Sequence, residues 1–127
     1  MKEHVTEIEL RFADLDAYGH VNSAVYFTYL ETARVKLMGQ EFLEATRNNI
    51  YLVVGRAECE YKRPIVLFQK VVATLWLDRM GSSSFDIAYR LHDGEDTVYA
   101  TARTTMVCID KNTGAPVPVP DSIKALA

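Results

Sequence analysis

One short segment concentrates most of the polar side chains able to do chemistry: Asp14-Leu15-Asp16-Ala17-Tyr18-Gly19-His20-Val21-Asn22-Ser23. Val25, Tyr26, Tyr29, Leu30, Ala33 and Leu37 follow it as apolar positions at helical spacing. The carboxylates therefore sit just before a helix N-terminus, where backbone N–H groups without partners carry partial positive charge. A carbonyl aimed at the N–H of Ser23 or its neighbour would have its developing negative charge stabilised there, by about 3 kcal/mol per donor. Asp16 beside it could attack that carbonyl or deprotonate a water, because an aspartate is ionised at neutral pH without tuning. Taken alone, Asp16 also fits a turn or a cap. His20 could orient Asp16, line a pocket or only stabilise the loop. Asn22 reads as the helix N-cap, and Asp14 as a structural hydrogen-bonding partner for Arg11 or the loop backbone.

Other chemistries fit the segment poorly. Asp14, Asp16 and Gly19 match the first, third and sixth positions of a calcium loop, but Val25 stands where the bidentate ligand belongs. His20 and Asp16 supply only part of a zinc site, with His4 and His92 far away in sequence. No metal is expected. The chain has no nucleophile elbow, Walker loop or dinucleotide-binding glycine pattern. Cys59 and Cys108 lie in strand-like stretches without a local base, which suits buried small side chains in a reducing compartment.

The elements that must position the segment can be read from pattern. Val5 to Phe12 reads as a strand, and a long helix runs from an Asn22 cap to a stop at Gly39, with a short second helix from Gln40 to Thr46. Tyr51 to Lys62, Val71 to Arg79, Ser84 to Leu91 and Thr97 to Ile109 alternate with valine, threonine and aromatic residues, as strands do. Asp93-Gly94 reads as a tight hairpin, and Pro116, Pro118 and Pro120 as an extended tail closing over the domain. With 127 residues, this is one α+β domain in which a single long helix covers one antiparallel sheet. Its two open edges are expected to pair with another subunit. A net charge of −3 argues against nucleic acid or an anionic membrane surface as partner. The longest apolar run, Ile50 to Val54, is too short for a membrane span. The absence of a leader-like N-terminus suggests a cytoplasmic protein.

The stretch Arg11-Phe12-Ala13-Asp14-Leu15-Asp16-Ala17-Tyr18-Gly19-His20-Val21-Asn22-Ser23-Ala24-Val25-Tyr26-Phe27, followed by Leu30-Glu31-Thr32-Ala33-Arg34, resembles the signature of hotdog-fold acyl-CoA thioesterases of the 4-hydroxybenzoyl-CoA thioesterase family. The likeness extends to Tyr61-Lys62-Arg63-Pro64, the Met80-Gly81-Ser82-Ser83-Ser84-Phe85 turn and the proline-rich end. It implies a hotdog domain over residues 1–127, a five-stranded antiparallel sheet wrapped around one long central helix. It further implies a homodimer or homotetramer with sheets joined edge to edge and sites at the subunit boundary. Asp16 matches the family's catalytic carboxylate, and Ser23 falls at the helix start whose backbone N–H faces the thioester carbonyl. His20, Asn22 and Tyr26 are then expected around a fatty or aromatic acyl group, with Val53, Val54 and Tyr29 as further pocket candidates.

Coenzyme A would enter as part of the substrate, and no separate cofactor is required. Its phosphates would meet Arg79, Ser82, Ser83 and Ser84, with Lys62, Arg63 or Lys111 contributing. Relatives that bind the nucleotide carry several cations in that turn, whereas this chain has Arg79 alone, so an acyl carrier protein is an alternative donor of the acyl group. Two rival readings are a hydratase or dehydratase using His20, and a module that binds an acyl thioester without turnover. Glu31 and Arg34, spaced i to i+3, read as a surface or interface pair.

Overall fold

The computed structural model describes residues 2–127. The elements run β1 (His4–Ile8), α1 (Val25–Arg47), β2 (Ile50–Tyr61), β3 (Val71–Met80), β4 (Ser84–His92), β5 (Val98–Asp110) and α2 (Asp121–Lys124). The strands form one antiparallel five-stranded sheet in the order β1-β3-β4-β5-β2. Its inner face carries Leu75, Leu77, Phe85, Ile87, Leu91 and Met106, all buried against α1. On the helix, Tyr26, Tyr29, Leu30, Ala33 and Met38 are buried. With buried Arg34 they are linked by three- and four-residue steps, so one broad helical face meets the sheet. Burying a side chain such as Leu30 stabilises the fold by about 1.5–3 kcal/mol.

The expected α+β architecture is present, with local corrections. The first strand ends at Ile8, because Phe12–Asp14 closes into a 3-10 turn around the Asp14 carboxylate. The helix starts at Val25 after Ala24, so Asn22, three residues before the helix, is not its N-cap; its Oδ1 accepts the Ala24 N–H at 2.9 Å. The expected stop at Gly39 is a kink at Met38 (φ −134°), beyond which the helix resumes to Arg47. The β4–β5 connection is longer than a two-residue hairpin. Asp93 Oδ1 accepts the N–H groups of Glu95 and Thr97 at 2.8 and 3.1 Å, and Gly94 takes φ +90°. The tail does close over the domain: Val117 N–H reaches Cys108 O at 3.0 Å, Val119 N–H reaches Ser82 O at 3.0 Å, and α2 buries Ile123. No helix among the described residues is long and apolar enough to cross a membrane.

Two devices set the geometry around the polar segment. The first is Asp14, only 1 % exposed. Its Oδ2 accepts Tyr29 Oη–H at 2.7 Å and the Arg11 N–H at 3.1 Å, while Oδ1 accepts Arg11 Nη2–H at 2.8 Å. Burial alone would raise the Asp14 carboxyl, but the hydrogen bonds from Tyr29 and Arg11 outweigh it and hold the carboxyl below the usual range. Tyr29 is pushed up by its own burial and by the Asp14 charge, so it stays a donor. The second device is a bulge in β2. Pairing with β5 shifts between Val54 and Arg56, so Leu52 and Val54 face the helix before it, and Ala57, Cys59 and Tyr61 after it. Strict alternation would have turned Tyr61 to the outer face. A Cβ on Gly55 would stand 2.9 Å from Val107 Cγ2, so only glycine fits the bulge.

Four substitutions have expected outcomes. Tyr29→Phe leaves a buried carboxylate short of a donor and lowers unfolding free energy by about 1.5–3 kcal/mol in a urea titration. Arg11→Ala costs less, because the Arg11 side chain is 67 % exposed. The folded-state pKa of Asp14 is lowered, so its stabilisation is present above the ordinary carboxylate pKa and is lost as pH falls through the folded value. Asp14→Asn therefore gives a lower melting temperature at neutral pH and a shallower acid limb than the parent. Gly55→Ala overpacks the bulge against Val107 and costs about 1–3 kcal/mol in the same titration.

Candidate functional site

The residues after Asp14 form a closed loop held at both ends. Asn22 N–H donates to Asp14 O at 2.9 Å, Asp16 N–H to His20 O at 2.7 Å, and Gly19 N–H to Asp16 O at 3.1 Å. Gly19 sits at φ +76°, which a side chain would make costly. Leu15 bridges to Val21, and His20 bridges to Val66, so the loop is stitched to the segment following Pro64. Val21 N–H completes that seam by donating to Ile65 O at 2.8 Å.

Within this loop the two oxygens of Asp16 differ. Oδ1 accepts the N–H groups of Tyr18 at 2.9 Å and His20 at 3.3 Å, which fixes the side chain. Oδ2 has no donor among the described residues. It is an acceptor oriented by its twin and left available for chemistry. The turn role read for Asp16 in the sequence and a chemical role are therefore compatible, because each uses a different oxygen.

Asp16, His20, Asn22, Ser23 and Tyr26 together line one cavity of about 310 Å³. Among the described residues no acceptor takes the Ser23 N–H, while Ser23 O accepts Tyr61 Oη–H at 2.6 Å. That bond ties Ser23, two residues before the helix, to the end of β2. The Tyr61 ring also meets Tyr26 edge-on, with centroids 4.8 Å apart and planes at 83°. Burial raises the phenols of Tyr26 and Tyr61, so both remain protonated at neutral pH. A free N–H, a free carboxylate oxygen and two aromatic rings thus share a single recess. Such a recess can polarise a carbonyl and deliver an oxygen nucleophile or a base to its carbon.

Tyr61, Lys62, Arg63 and Pro64 also line the cavity. Residue patterning placed Tyr61 at a strand end but could not show which face it takes, since the Gly55 bulge reverses the parity. Lys62 Nζ pairs with Glu60 at 3.0 Å near the mouth. The other expected binding residues lie elsewhere in the chain. Arg79 donates to Asp86 at 3.1 and 3.2 Å and to Ser84 Oγ at 2.9 Å. The Arg79 guanidinium holds the Asp86 carboxyl below the usual range despite its burial. Ser82 O and Ser83 O accept the N–H groups of Val119 and Cys108. The 79–84 turn is therefore engaged in holding the β3–β4 end and the tail, and does not reach the Asp16 cavity within one chain. Tyr29 is spent on Asp14, Val53 faces outward, and Val54 lines a separate recess along α1. Lys111 stands 5.9 Å from the Tyr51 ring centroid. Cys108 is buried, Cys59 is partly buried, and both are free thiols raised by burial. Among the described residues no three His, Cys, Asp or Glu side chains gather as a metal would require.

The chain is 35 % identical over 111 residues to the long-chain acyl-CoA thioesterase FadM of Escherichia coli, covering 85 % of this chain and 84 % of that one. It is 27 % identical to the 1,4-dihydroxy-2-naphthoyl-CoA hydrolase of Synechococcus elongatus, covering 98 % of this chain and 94 % of the relative. A crystal structure of a Thermus thermophilus thioesterase complexed with coenzyme A and zinc superposes with a TM-score of 0.79 at 31 % identity, covering 95 % of this chain and 88 % of that one. Residues 10–126 match the family model described as the thioesterase-like superfamily. From the wrapped helix and sheet, the shared recess and this match, the chain belongs to the thioesterase-like superfamily, built on the hotdog fold.

Proposed function

We propose that the chain, an enzyme of the thioester-hydrolase kind, hydrolyses a fatty or aromatic acyl-CoA to the free acid and the thiol. The observation that carries this reading is the pairing of a donor-free Asp16 Oδ2 with an acceptor-free Ser23 N–H in one cavity. The thioester carbonyl oxygen accepts the Ser23 N–H, next to the positive end of the α1 dipole. Asp16 Oδ2 either attacks the carbonyl carbon or takes a proton from the attacking water. In both routes the C–S bond breaks and the thiolate leaves and takes up a proton. On the first route water then hydrolyses the Asp16–acyl anhydride, freeing the acid and regenerating the carboxylate; on the second the water adds directly, so each turnover consumes one water. Tyr61, by bonding Ser23 O, holds the peptide that presents the N–H. Tyr26 and Tyr61 give the acyl group an aromatic wall, and His20 and Asn22 close the side nearest the loop.

The acyl channel is completed by a second copy. The outer edge of β2 has no strand partner within the chain, although it runs twelve residues and carries exposed Val53, Val54 and Tyr61. Such an edge is an open template for pairing. A homodimer joined there would bring new residues to the cavity mouth, where Lys62 and Arg63 offer cations to phosphate groups. The donor on this reading is coenzyme A, and its thiol product is read directly.

A panel of acyl-CoA esters from short to long chain, with aromatic members, tests the reading by released thiol. Turnover is expected on at least one class. Binding with no thiol from any member would instead favour a non-catalytic module, and water addition to an enoyl thioester with the thioester intact would favour a hydratase. On the best substrate, Asp16→Asn is expected to retain fold and assembly and to lose at least about two orders of magnitude in kcat. Near-parental turnover of that variant would remove Asp16 from the mechanism. Asp14→Asn is expected to lose stability at least as much as rate.

A further inference from the structure

Arg34, on the third turn of α1, is only 7 % exposed. Its Nη1 donates to Tyr89 Oη at 3.2 Å, and that hydroxyl shares a 2.7 Å hydrogen bond with Thr104 Oγ1. Among the described residues no carboxylate lies within ion-pair distance of Arg34. A guanidinium cannot shed its charge by losing a proton. Its remaining N–H groups keep some solvent contact through the adjoining recess, but a guanidinium largely withdrawn from water with one neutral hydroxyl as partner is unfavourable, and an anion is the usual remedy.

The surroundings say where that anion comes from. Arg34 lines a recess of about 260 Å³ between α1 and β2, together with Phe27, Glu31, Val54 and Ala57. Phe27, Glu31 and Arg34 form one helical stripe at steps of four and three residues. Glu31 is exposed and makes no ion pair within the chain, although it stands one turn from Arg34. Phe27 and Val54, also exposed, flank the opening. The patch thus holds one inward cation, one outward anion and an apolar surround, and it adjoins the unpaired edge of β2.

We propose that the acceptor for Arg34 is Glu31 of a second copy of this chain. A two-fold axis passing midway between the two positions sets Glu31 of each protomer against Arg34 of the other, so two reciprocal ion pairs form from one surface. Phe27 and Val54 then surround the pairs and exclude water from them. This rests on the dimer proposed above and adds the contact that fixes its axis along α1. An i to i+3 pair inside one helix would leave both charges at the surface, whereas the trans pair neutralises the buried guanidinium.

Sedimentation equilibrium over a concentration series tests it. The parent is expected to be a dimer, and Glu31→Arg to raise the dimer dissociation constant at least about 30-fold. Glu44→Arg, the same charge change at an exposed site farther along α1, is expected to leave assembly as in the parent. Arg34→Glu alone is weakened or fails to fold, but co-refolded with Glu31→Arg it restores a heterodimer in which both pairs are again of opposite sign. A monomeric parent would overturn both the dimer and this contact. A dimeric parent whose Glu31→Arg variant associates equally well would overturn the contact alone. So would failure of the two variants to form a heterodimer, or protection of the parent and Glu31→Arg alike by benzoate with assembly unchanged, which would make the recess a site for a free acid.

Discussion

A single buried carboxylate organises this molecule's active end. Asp14 takes hydrogen bonds from Arg11 and from Tyr29, and its own carbonyl oxygen takes one from Asn22. Those bonds join the exit of β1, the second turn of α1 and the far end of the polar loop at one residue. The Tyr29 bond is the strongest of the set in consequence, since it is short, fully buried and made to a charged acceptor. With both loop ends clamped, Asp16 to Gly19 has only one compact way to close, and Gly19 supplies the positive φ that the closure needs.

Two aspartates two residues apart have been put to opposite uses by their surroundings. Asp14 sits in a 3-10 turn, so its side chain turns inward to the helix rather than extending beside Asp16. Both of its oxygens are occupied. Asp16 spends one oxygen on backbone N–H groups and keeps the other open at the cavity. Saturation suits an anchor, because unmet acceptors inside a protein are costly. An open oxygen suits a reacting group. The two carboxylates of the Asp-x-Asp pattern thus differ in hydrogen bonding, one saturated and one with an oxygen left open, separated by a change of backbone conformation.

The opposite wall of the cavity depends on a glycine in a strand. Without the bulge at Gly55, the inner face of β2 would continue from Leu52 and Val54 onto even-numbered residues, and Tyr61 would point away from α1. With it, Tyr61 reaches both the Tyr26 ring and the carbonyl of Ser23. The same strand leaves its outer edge unpaired. The face of α1 beside that edge carries a buried Arg34. The Asp16 cavity, the open edge of β2 and the recess holding Arg34 thus all draw on α1 and β2.

Much of this was written in the chain itself. Local pattern placed the long helix, the four later strands and the polar segment ahead of the helix, because periodicity and turn chemistry depend on near neighbours. It also read Asp14 as a structural hydrogen-bonding partner of Arg11, and the structure has that bond. The helix break near Gly39 was legible because glycine weakens a helix locally. What sequence could not decide was anything set by partners far along the chain. The helix starts at Val25 rather than after an Asn22 cap, and Asn22 N–H is bonded to Asp14 O, eight residues earlier. The role of Tyr61 required strand parity, which one pairing shift inverts. Nor could pattern show that Arg79, in the turn expected to meet phosphates, also bonds Asp86, or that Ser82 O holds the C-terminal tail. Hydrogen-bond satisfaction is a property of the folded whole, so which polar groups are spent and which remain free is decided only when distant strands and helices meet.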